Sequence, residues 1–266
     1  MKLNLCSGRA VWLVAALAGA IIPSTGRAQV AGDNADIYPG NPDHGWSANN
    51  GGLGYDLWTP LGDTAGGGTY MEGVGVNNRQ VDGNYSFALY AGGGAYDISR
   101  PITSPYTQAE FTISTRFDLA GAGPNLVNLR SGNSIASFGA GELISFGIVN
   151  DNQLSYTDLA GTHVLGSGEA RGQVWDWTID FNANSGAFSL SVTNAGGGFA
   201  TSVAGTLEIS GTTAGSFAVI NSSTGGNQNL IFDSPQFQPI PEPTAVTVLG
   251  LGLVLGGVHF MRRRKA

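Results

Sequence analysis

Paired carboxylates are the first residues of this sequence that could do chemistry, because two acids placed across a sugar can cleave a glycosidic bond. Such cleavage needs two carboxyl groups about 5–9.5 Å apart. Asp176 and Asp180 share one face of a predicted strand, with Thr178 between them. Four residues of extended chain separate the two acids by about 13 Å. We therefore interpret both as solvated acids on the outer face of a strand, and we predict no catalytic residues.

Nucleophilic and zinc chemistry also lack a convincing set of residues. His44 and His163 lie in segments rich in Gly, Asp and Thr, which predicts surface loops for both. The single cysteine, Cys6, lies near the N-terminus, and no Gly-x-Ser-x-Gly motif is present. Two histidines without a Glu-x-x partner make a poor zinc site. The sequence therefore favours a protein that is not an enzyme.

Oxygen ligands for a hard cation are more plentiful. Asp33, Asn34, Asp36 and Asp43 lie close together near the N-terminus, and 150–152 reads Asn-Asp-Asn. Carboxylate and amide oxygens in loops suit Ca²⁺, but turn chemistry alone also explains such segments. We predict no cofactor and no metal ligand, and Ca²⁺ stays an open alternative.

The charge of the chain excludes nucleic acid as a partner. The whole sequence has a formal net charge of -7, but the segment 29–240 contains five arginines, no lysine and eighteen acids. That segment therefore carries a formal charge of −13. A field of this sign repels phosphate backbones.

Short apolar runs between Gly-, Asn-, Ser- and Thr-rich clusters predict an all-β fold for the segment 29–238. The clearest strand is 175–181, where large apolar residues alternate with polar ones, and 188–192 returns beside it. No helical pattern offers a crossover, so we expect an antiparallel β-sandwich. The part 29–78 is expected to be irregular and to pack through its aromatic residues. The other predicted strands are 85–90, 111–119, 144–148, 154–156, 207–209, 217–219 and 230–232.

The order of these features resembles the concanavalin A-like or laminin-G-like jelly roll. The segments that carry the resemblance are 111–117, 175–192 and 229–237. The resemblance implies a jelly-roll-like sandwich and keeps two functions open, a carbohydrate-binding or adhesion module and a glycoside hydrolase of the concanavalin A-like class. Aromatic side chains could stack on sugars, although packing is the favoured interpretation. The candidates are Trp46, Tyr55, Trp58, Tyr70, Tyr96 and Tyr106.

The N-terminus has the pattern of a secretory signal peptide. Lys2 and Arg9 precede the apolar run 10–22, and the small residues Gly26 and Ala28 follow it. We predict a signal helix in the segment 1–28. The apolar run is too short to span a bilayer, which favours cleavage over retention.

The C-terminal segment 239–266 combines three unlike parts. Pro241, Glu242 and Pro243 precede the apolar run 245–260, and a basic tail follows. As a helix rising ~1.5 Å per residue, this run is about 24 Å long, which makes it a marginal transmembrane anchor. Four cations would keep the tail cytoplasmic. These cations are Arg262, Arg263, Arg264 and Lys265.

This tripartite order resembles the PEP-CTERM sorting signal, with Thr244 where many members of that family have serine. The resemblance implies recognition by an exosortase, a membrane-embedded transpeptidase-like enzyme of Gram-negative bacteria that make exopolysaccharide. It implies a precursor anchored in the inner membrane and a product at the cell surface or in the extracellular matrix. The expected partners are the exosortase, the membrane and, as a further candidate, extracellular polysaccharide. The main hypothesis is thus an exported, non-enzymatic surface or matrix protein.

The signal peptide gives a first testable prediction. We expect cleavage between Ala28 and Gln29, because small residues occupy the positions that the signal peptidase reads. N-terminal sequencing of the exported protein should begin at Gln29, and a sequence beginning at Met1 would contradict this prediction.

Overall fold

The computed structural model of the chain describes one compact body within residues 29–240. The sequence-based predictions for Ala28 and Gln29, the sorting motif 241–243, the run 245–260 and the basic tail 262–265 lie outside the described residues. Within the described part, no helix is both long and apolar enough to span a bilayer. The described residues are 30–38, 46, 51–61, 67–73, 79–91, 94–118, 123–132, 141–149, 153–167, 170–222 and 229–240.

Fifteen strands and one turn of 3-10 helix, Ala35–Ile37, are found in these residues. The strands are β1 Ala31–Gly32, β2 Thr59–Pro60, β3 Gly68–Gly73, β4 Tyr85–Tyr90, β5 Tyr96–Tyr106, β6 Gln108–Phe117, β7 Asn125–Ser131, β8 Glu142–Ile148, β9 Gln153–Asp158, β10 Gly161–Ser167, β11 Val174–Asn182, β12 Ala187–Asn194, β13 Ala200–Thr206, β14 Ala214–Asn221 and β15 Asn229–Pro239.

The strands form two sheets. An eight-stranded sheet has the order β13-β12-β11-β6-β15-β4-β3, with β1 added beside β15, and a seven-stranded sheet has the order β10-β9-β8-β7-β14-β5-β2. Neighbouring strands pair antiparallel throughout the described residues. The inner faces of both sheets contribute to one apolar core. This confirms the predicted all-β antiparallel sandwich.

The alternation in β11 places its faces as the sequence predicted. Trp177 is buried, its indole N–H donates to Thr115 Oγ1 at 2.9 Å, and its ring packs against Phe146 of the other sheet with centroids 5.0 Å apart. On the opposite face Asp176 accepts a hydrogen bond from Ser114 Oγ at 2.6 Å, and Asp180 is exposed. The interpretation of both acids as outer-face residues is confirmed.

Two parts of the sequence-based assignment are wrong. The predicted strand 207–209 follows β13 instead, and Leu207 N–H donates to Gly186 O at 2.7 Å beyond the end of that strand. β13 reads ATSVAGT, whose small residues give no apolar alternation to detect. The part 29–78 was expected to be irregular, yet it contributes β1, β2 and β3, which are too short to show a period.

The packing of β11 generates a prediction about stability. We expect Trp177→Ala to lower the free energy of unfolding by about 3–5 kcal/mol, because it leaves a cavity between the sheets and removes the bond to Thr115. Asp176→Ala should change it by less than about 1 kcal/mol. Thermal or denaturant unfolding measures both variants, and a larger loss for Asp176→Ala would mean that the faces are inverted.

Candidate functional site

An open cleft of about 330 Å³ lies where β1 runs beside β15. Two of its lining residues, Gly32 and Gln236, are paired with each other across β1 and β15. We call it the Asn34 cleft. Its lining residues are Gly32, Asp33, Asn34, Ile37, Ser234 and Gln236.

A β-bulge in β15 forms one wall of the Asn34 cleft. The register of β15 against β6 shifts between Asp233 and Gln236, and Ser234 has a φ of 52°. Positive φ is uncommon for a residue other than glycine, and bulges redirect side chains. Here the bulge brings Ser234 Oγ to 3.5 Å from Asn34 Nδ2, which donates to it. The wall therefore presents a hydroxyl and an amide side by side.

The 3-10 turn Ala35–Ile37 contributes an apolar residue to the lining. Asn34 caps this turn, because its Oδ1 accepts a hydrogen bond from Asp36 N–H at 2.7 Å. The capped turn holds Ile37 at the cleft with 58% of its surface exposed. Asp36 is tied down in turn, since its Oδ1 accepts from Asn84 N–H at 2.9 Å and Tyr85 N–H at 2.7 Å. An exposed aliphatic side chain thus belongs to the same lining as the polar groups.

A buried ion pair lies beneath the cleft. The Arg100 guanidinium contacts the Asp33 carboxylate, and both side chains are fully buried. Arg100 also donates to Tyr38 Oη at 3.0 Å, and its guanidinium carbon lies 4.8 Å from the ring centroids of both Tyr55 and Trp58. Burial lowers the pKa of Arg100 to about 9, so the side chain stays charged at neutral pH. The negative charge of Asp33 is therefore neutralised from below.

A second buried acid, Asp233, adjoins the bulge. Its Oδ1 accepts hydrogen bonds from Ala35 N–H at 3.0 Å and Ser234 N–H at 2.7 Å. Its Oδ2 is buried, and no described residue donates a hydrogen bond to it. Burial raises the pKa of Asp233 to about 7, and the nearby charges of Asp82 and Asp36 add to this effect. Asp233 is thus only partly ionised at neutral pH.

The lining of the Asn34 cleft is mostly polar and uncharged. Its lining offers amide and hydroxyl groups that donate and accept hydrogen bonds, together with one aliphatic side chain. Its one acid, Asp33, is neutralised by Arg100, and no described residue of the lining pairs a nucleophile with a base. Such a surface matches a ligand that is polar and uncharged.

The structure assigns structural roles to the described candidates for a Ca²⁺ site. Asp33 is committed to Arg100, Asn34 to the turn, and Asp36 to the amides of residues 84 and 85. Among the residues that the structure describes, no group of three or more His, Cys, Asp or Glu could hold a metal ion. Asp43 and the segment 150–152 lie outside the described residues.

His163 lies on a strand, so the expectation of a loop was wrong for this residue. It belongs to β10, with Nε2 3.0 Å from Asp158 Oδ1 and its ring stacked on Tyr156 at 4.8 Å. His44 lies outside the described residues. The candidates for sugar stacking are mostly core residues, which confirms the packing interpretation. Trp46, Tyr55, Trp58, Tyr96 and Tyr106 are buried, and Tyr70 is partly buried.

A second group of polar residues escaped the sequence analysis. It lies on the face of the seven-stranded sheet that points away from the core. Asn128 Nδ2 donates to Glu142 Oε1 at 2.5 Å, and Ser145 Oγ donates to Glu142 Oε2 at 3.1 Å. Burial raises the pKa of Asp97 on the same face to about 6, whereas the charge of Arg130 opposes that rise. Asp97, Asn128, Arg130 and Ser145 are buried, so we assign this group to the stability of the sheet.

Comparison with known proteins gives neighbours in structure alone. No family model matches the sequence, and no curated protein matches it either. Peanut lectin with a 9-mer peptide is similar at 13% identity and a TM-score of 0.48, covering 81% of this chain and 100% of that chain. The T. cruzi calreticulin globular domain is similar at 12% identity and a TM-score of 0.47, covering 78% and 95%. Metal-free lectin I-B4 from Griffonia simplicifolia is similar at 10% identity and a TM-score of 0.46, covering 69% and 93%.

The raised pKa of Asp233 generates a prediction about pH. Between its usual pKa of 3.8 and about 7, the folded protein holds this proton more tightly than the unfolded chain does. The contribution of Asp233 to stability is therefore present in full below pH 4 and is lost as the pH rises to 7, by roughly 3–5 kcal/mol.

Asp233→Asn should flatten this part of the pH profile, because asparagine keeps the acceptor oxygen and does not titrate. The exposed Asp180→Asn serves as the control and should leave the slope unchanged. Urea unfolding at pH 4 and pH 7 measures the difference, and equal slopes in the wild type and Asp233→Asn would contradict the prediction.

Proposed function

We propose that this protein is an exported, non-enzymatic β-sandwich protein that binds neutral carbohydrate through the Asn34 cleft. The observation that carries the proposal is the composition of that cleft, whose lining combines amide and hydroxyl groups with an exposed aliphatic side chain. Sugar hydroxyls donate and accept hydrogen bonds at once, and Ser234 and Gln236 offer both functions. Sugar C–H faces pack against aliphatic groups such as Ile37.

The charges of the domain support a neutral ligand. The segment 29–240 has a formal charge of −13, which disfavours acidic polysaccharides. In the cleft itself the carboxylate of Asp33 is balanced by Arg100. A second exposed aliphatic residue, Leu53, adjoins the cleft through its paired backbone bonds to Gly32 and is 68% exposed. The cavity volume is at the lower end of the range for small-molecule sites, so we expect a short stretch of glycan to fill it.

Gln236 gives the sharpest test of carbohydrate binding. It lines the cleft, whereas Gln238 lies two residues further along the same strand, is equally outward and is not part of the lining. Gln236→Ala should weaken binding about tenfold, the effect of losing one or two hydrogen bonds. Gln238→Ala should bind as the wild type does.

The measurement is a glycan array with the purified full chain in detergent, followed by calorimetry on the glycans that bind. The same glycans are incubated with the protein and assayed for released sugars, which separates binding from hydrolysis. Failure to bind any neutral glycan would contradict the proposal, and so would an equal loss in both variants.

We also propose that an exosortase-type enzyme sorts the protein through Pro241, Glu242 and Pro243. The tail supports this with its motif, apolar run and basic cluster in the expected order. The structure adds that β15 ends at Pro239, so the motif begins two residues after the last strand. The processing enzyme would therefore meet a folded domain directly beside its substrate motif. Two prolines keep the motif extended and poor in amide donors, which suits an enzyme groove.

Glu242→Ala should abolish processing and leave membrane insertion intact, because it removes the single acid of the tail and keeps its apolar run. Thr244→Ser is the control and should be processed normally. Mass spectrometry of the protein from the native host reads the C-terminus. An intact wild-type chain ending at Ala266, in cells with an active exosortase, would refute sorting and leave carbohydrate binding unaffected.

A further inference from the structure

Four outer strands of the described sheets differ in how they discourage pairing with another chain. Natural edges are blunted by short strands, proline, charged residues or bulges. β2 has two residues and includes Pro60, β10 carries His163 and a register shift between Val164 and Gly166, and β3 carries Glu72. β13 pairs with β12 without a shift in register, and its sequence ATSVAGT has no charge and no proline.

The free side of β13 follows from its register with β12. Asn194 N–H donates to Phe199 O at 3.0 Å at the hairpin end, which makes 194 and 199 a hydrogen-bonded pair. Hydrogen-bonded and non-hydrogen-bonded pairs alternate along two antiparallel strands. Ala200, Ser202 and Ala204 therefore belong to non-hydrogen-bonded pairs, and their amide and carbonyl groups point away from β12. The carbonyl of Thr206 also points away from β12, because it accepts a hydrogen bond from Leu159 N–H at 3.1 Å. This bond agrees with the alternation of pairs along β13.

We propose that β13 pairs antiparallel with β13 of a second copy of this chain, about a two-fold axis at Ser202. In this register Ser202 faces its own equivalent and Ala200 faces Ala204, so about six backbone hydrogen bonds form across the axis. The opposed side chains are all small, which lets the strands approach at the normal spacing of a sheet. The two eight-stranded sheets become one continuous sheet.

The uncharged sequence of β13 and the apolar surface beside it favour a second copy as the occupant. Two domains that each carry −13 repel one another, and the uncharged β13 is a place where their approach costs least. Two exposed apolar side chains flank the strand. Leu159, which is hydrogen-bonded to Thr206 at the end of β13, is 65% exposed. Ile209, three residues after the end of β13, is 39% exposed. Pairing of the strands would bring such apolar surface toward the partner.

A disulfide tests the register directly. Ser202→Cys, made with Cys6→Ser in the full chain, places two sulfurs across the axis with Cα atoms about 5.5 Å apart, within the range of a disulfide. Mild oxidation should give a dimer on a non-reducing gel. Ser191→Cys is the matched control, since Ser191 Oγ lies 2.7 Å from Ser202 Oγ on the same face. It is one strand further in, so its equivalents would be about 14 Å apart and should not link.

A second pair of variants tests association without cross-linking. Ala204→Lys adds a charge to the edge strand β13, where lysine discourages pairing, whereas Ser189→Lys adds it at the paired position on the interior strand β12. Sedimentation of the full chain in detergent should show dimers for the wild type and Ser189→Lys, and monomers for Ala204→Lys. The melting temperature of Ala204→Lys should stay near that of Ser189→Lys. A monomeric wild type, equal cross-linking at 191 and 202, or persistent dimers of Ala204→Lys would overturn the proposal.

Discussion

The buried ion pair between Arg100 and Asp33 fixes the N-terminal part of the chain to the sandwich. Arg100 belongs to β5 in the seven-stranded sheet, and Asp33 directly follows β1 at the edge of the other sheet. The guanidinium also donates to the backbone carbonyls of Gly51 and Asp56. One side chain therefore contacts the chain both at Asp33 and at 51–56, within the N-terminal part whose sequence shows no strand pattern. A buried charge that loses its partner costs several kcal/mol, so these contacts are interdependent. We infer that the short strand β1 is stabilised by the buried, paired charges of Arg100 and Asp33.

The same ion pair determines the character of the Asn34 cleft. Without Arg100 beneath it, Asp33 would make the cleft anionic and attractive to cations. With it, the remaining lining is neutral, and its polar groups include the amide of Gln236 and the hydroxyl of Ser234. The nearby Asp233 has no cation beside it among the described residues. Burial raises its pKa to about 7, so it is partly protonated at neutral pH. The charge of Asp33 is neutralised by a cation, and that of Asp233 is partly neutralised by a proton at neutral pH.

The sequence predicted those parts of the fold in which large apolar and small polar residues alternate. The strands β11 and β12 were found in this way, because one face is buried and the other is wet. β5 and β7 were missed because both of their faces are largely buried, so polar residues such as Asp97 and Asn128 carry no periodic signal. The cleft could not be predicted, since Asn34 and Ser234 are 200 positions apart in sequence. Nor does any local pattern indicate that Arg100 is buried.

The interior position of β15 has a mechanical consequence. This strand pairs with β6 along most of its length, with β4 at its beginning and with β1 near its end. A tether that continues beyond Pro239 would pull along the axis of β15, so the bonds to its neighbours would be loaded in shear and would share the force. Peeling from an outer strand would instead break them one at a time. Since β1 lies beside the end of β15, the first described residues sit next to the point where that force enters. The hydrogen bonds of β15 to β4, β6 and β1 would therefore resist such a pull together.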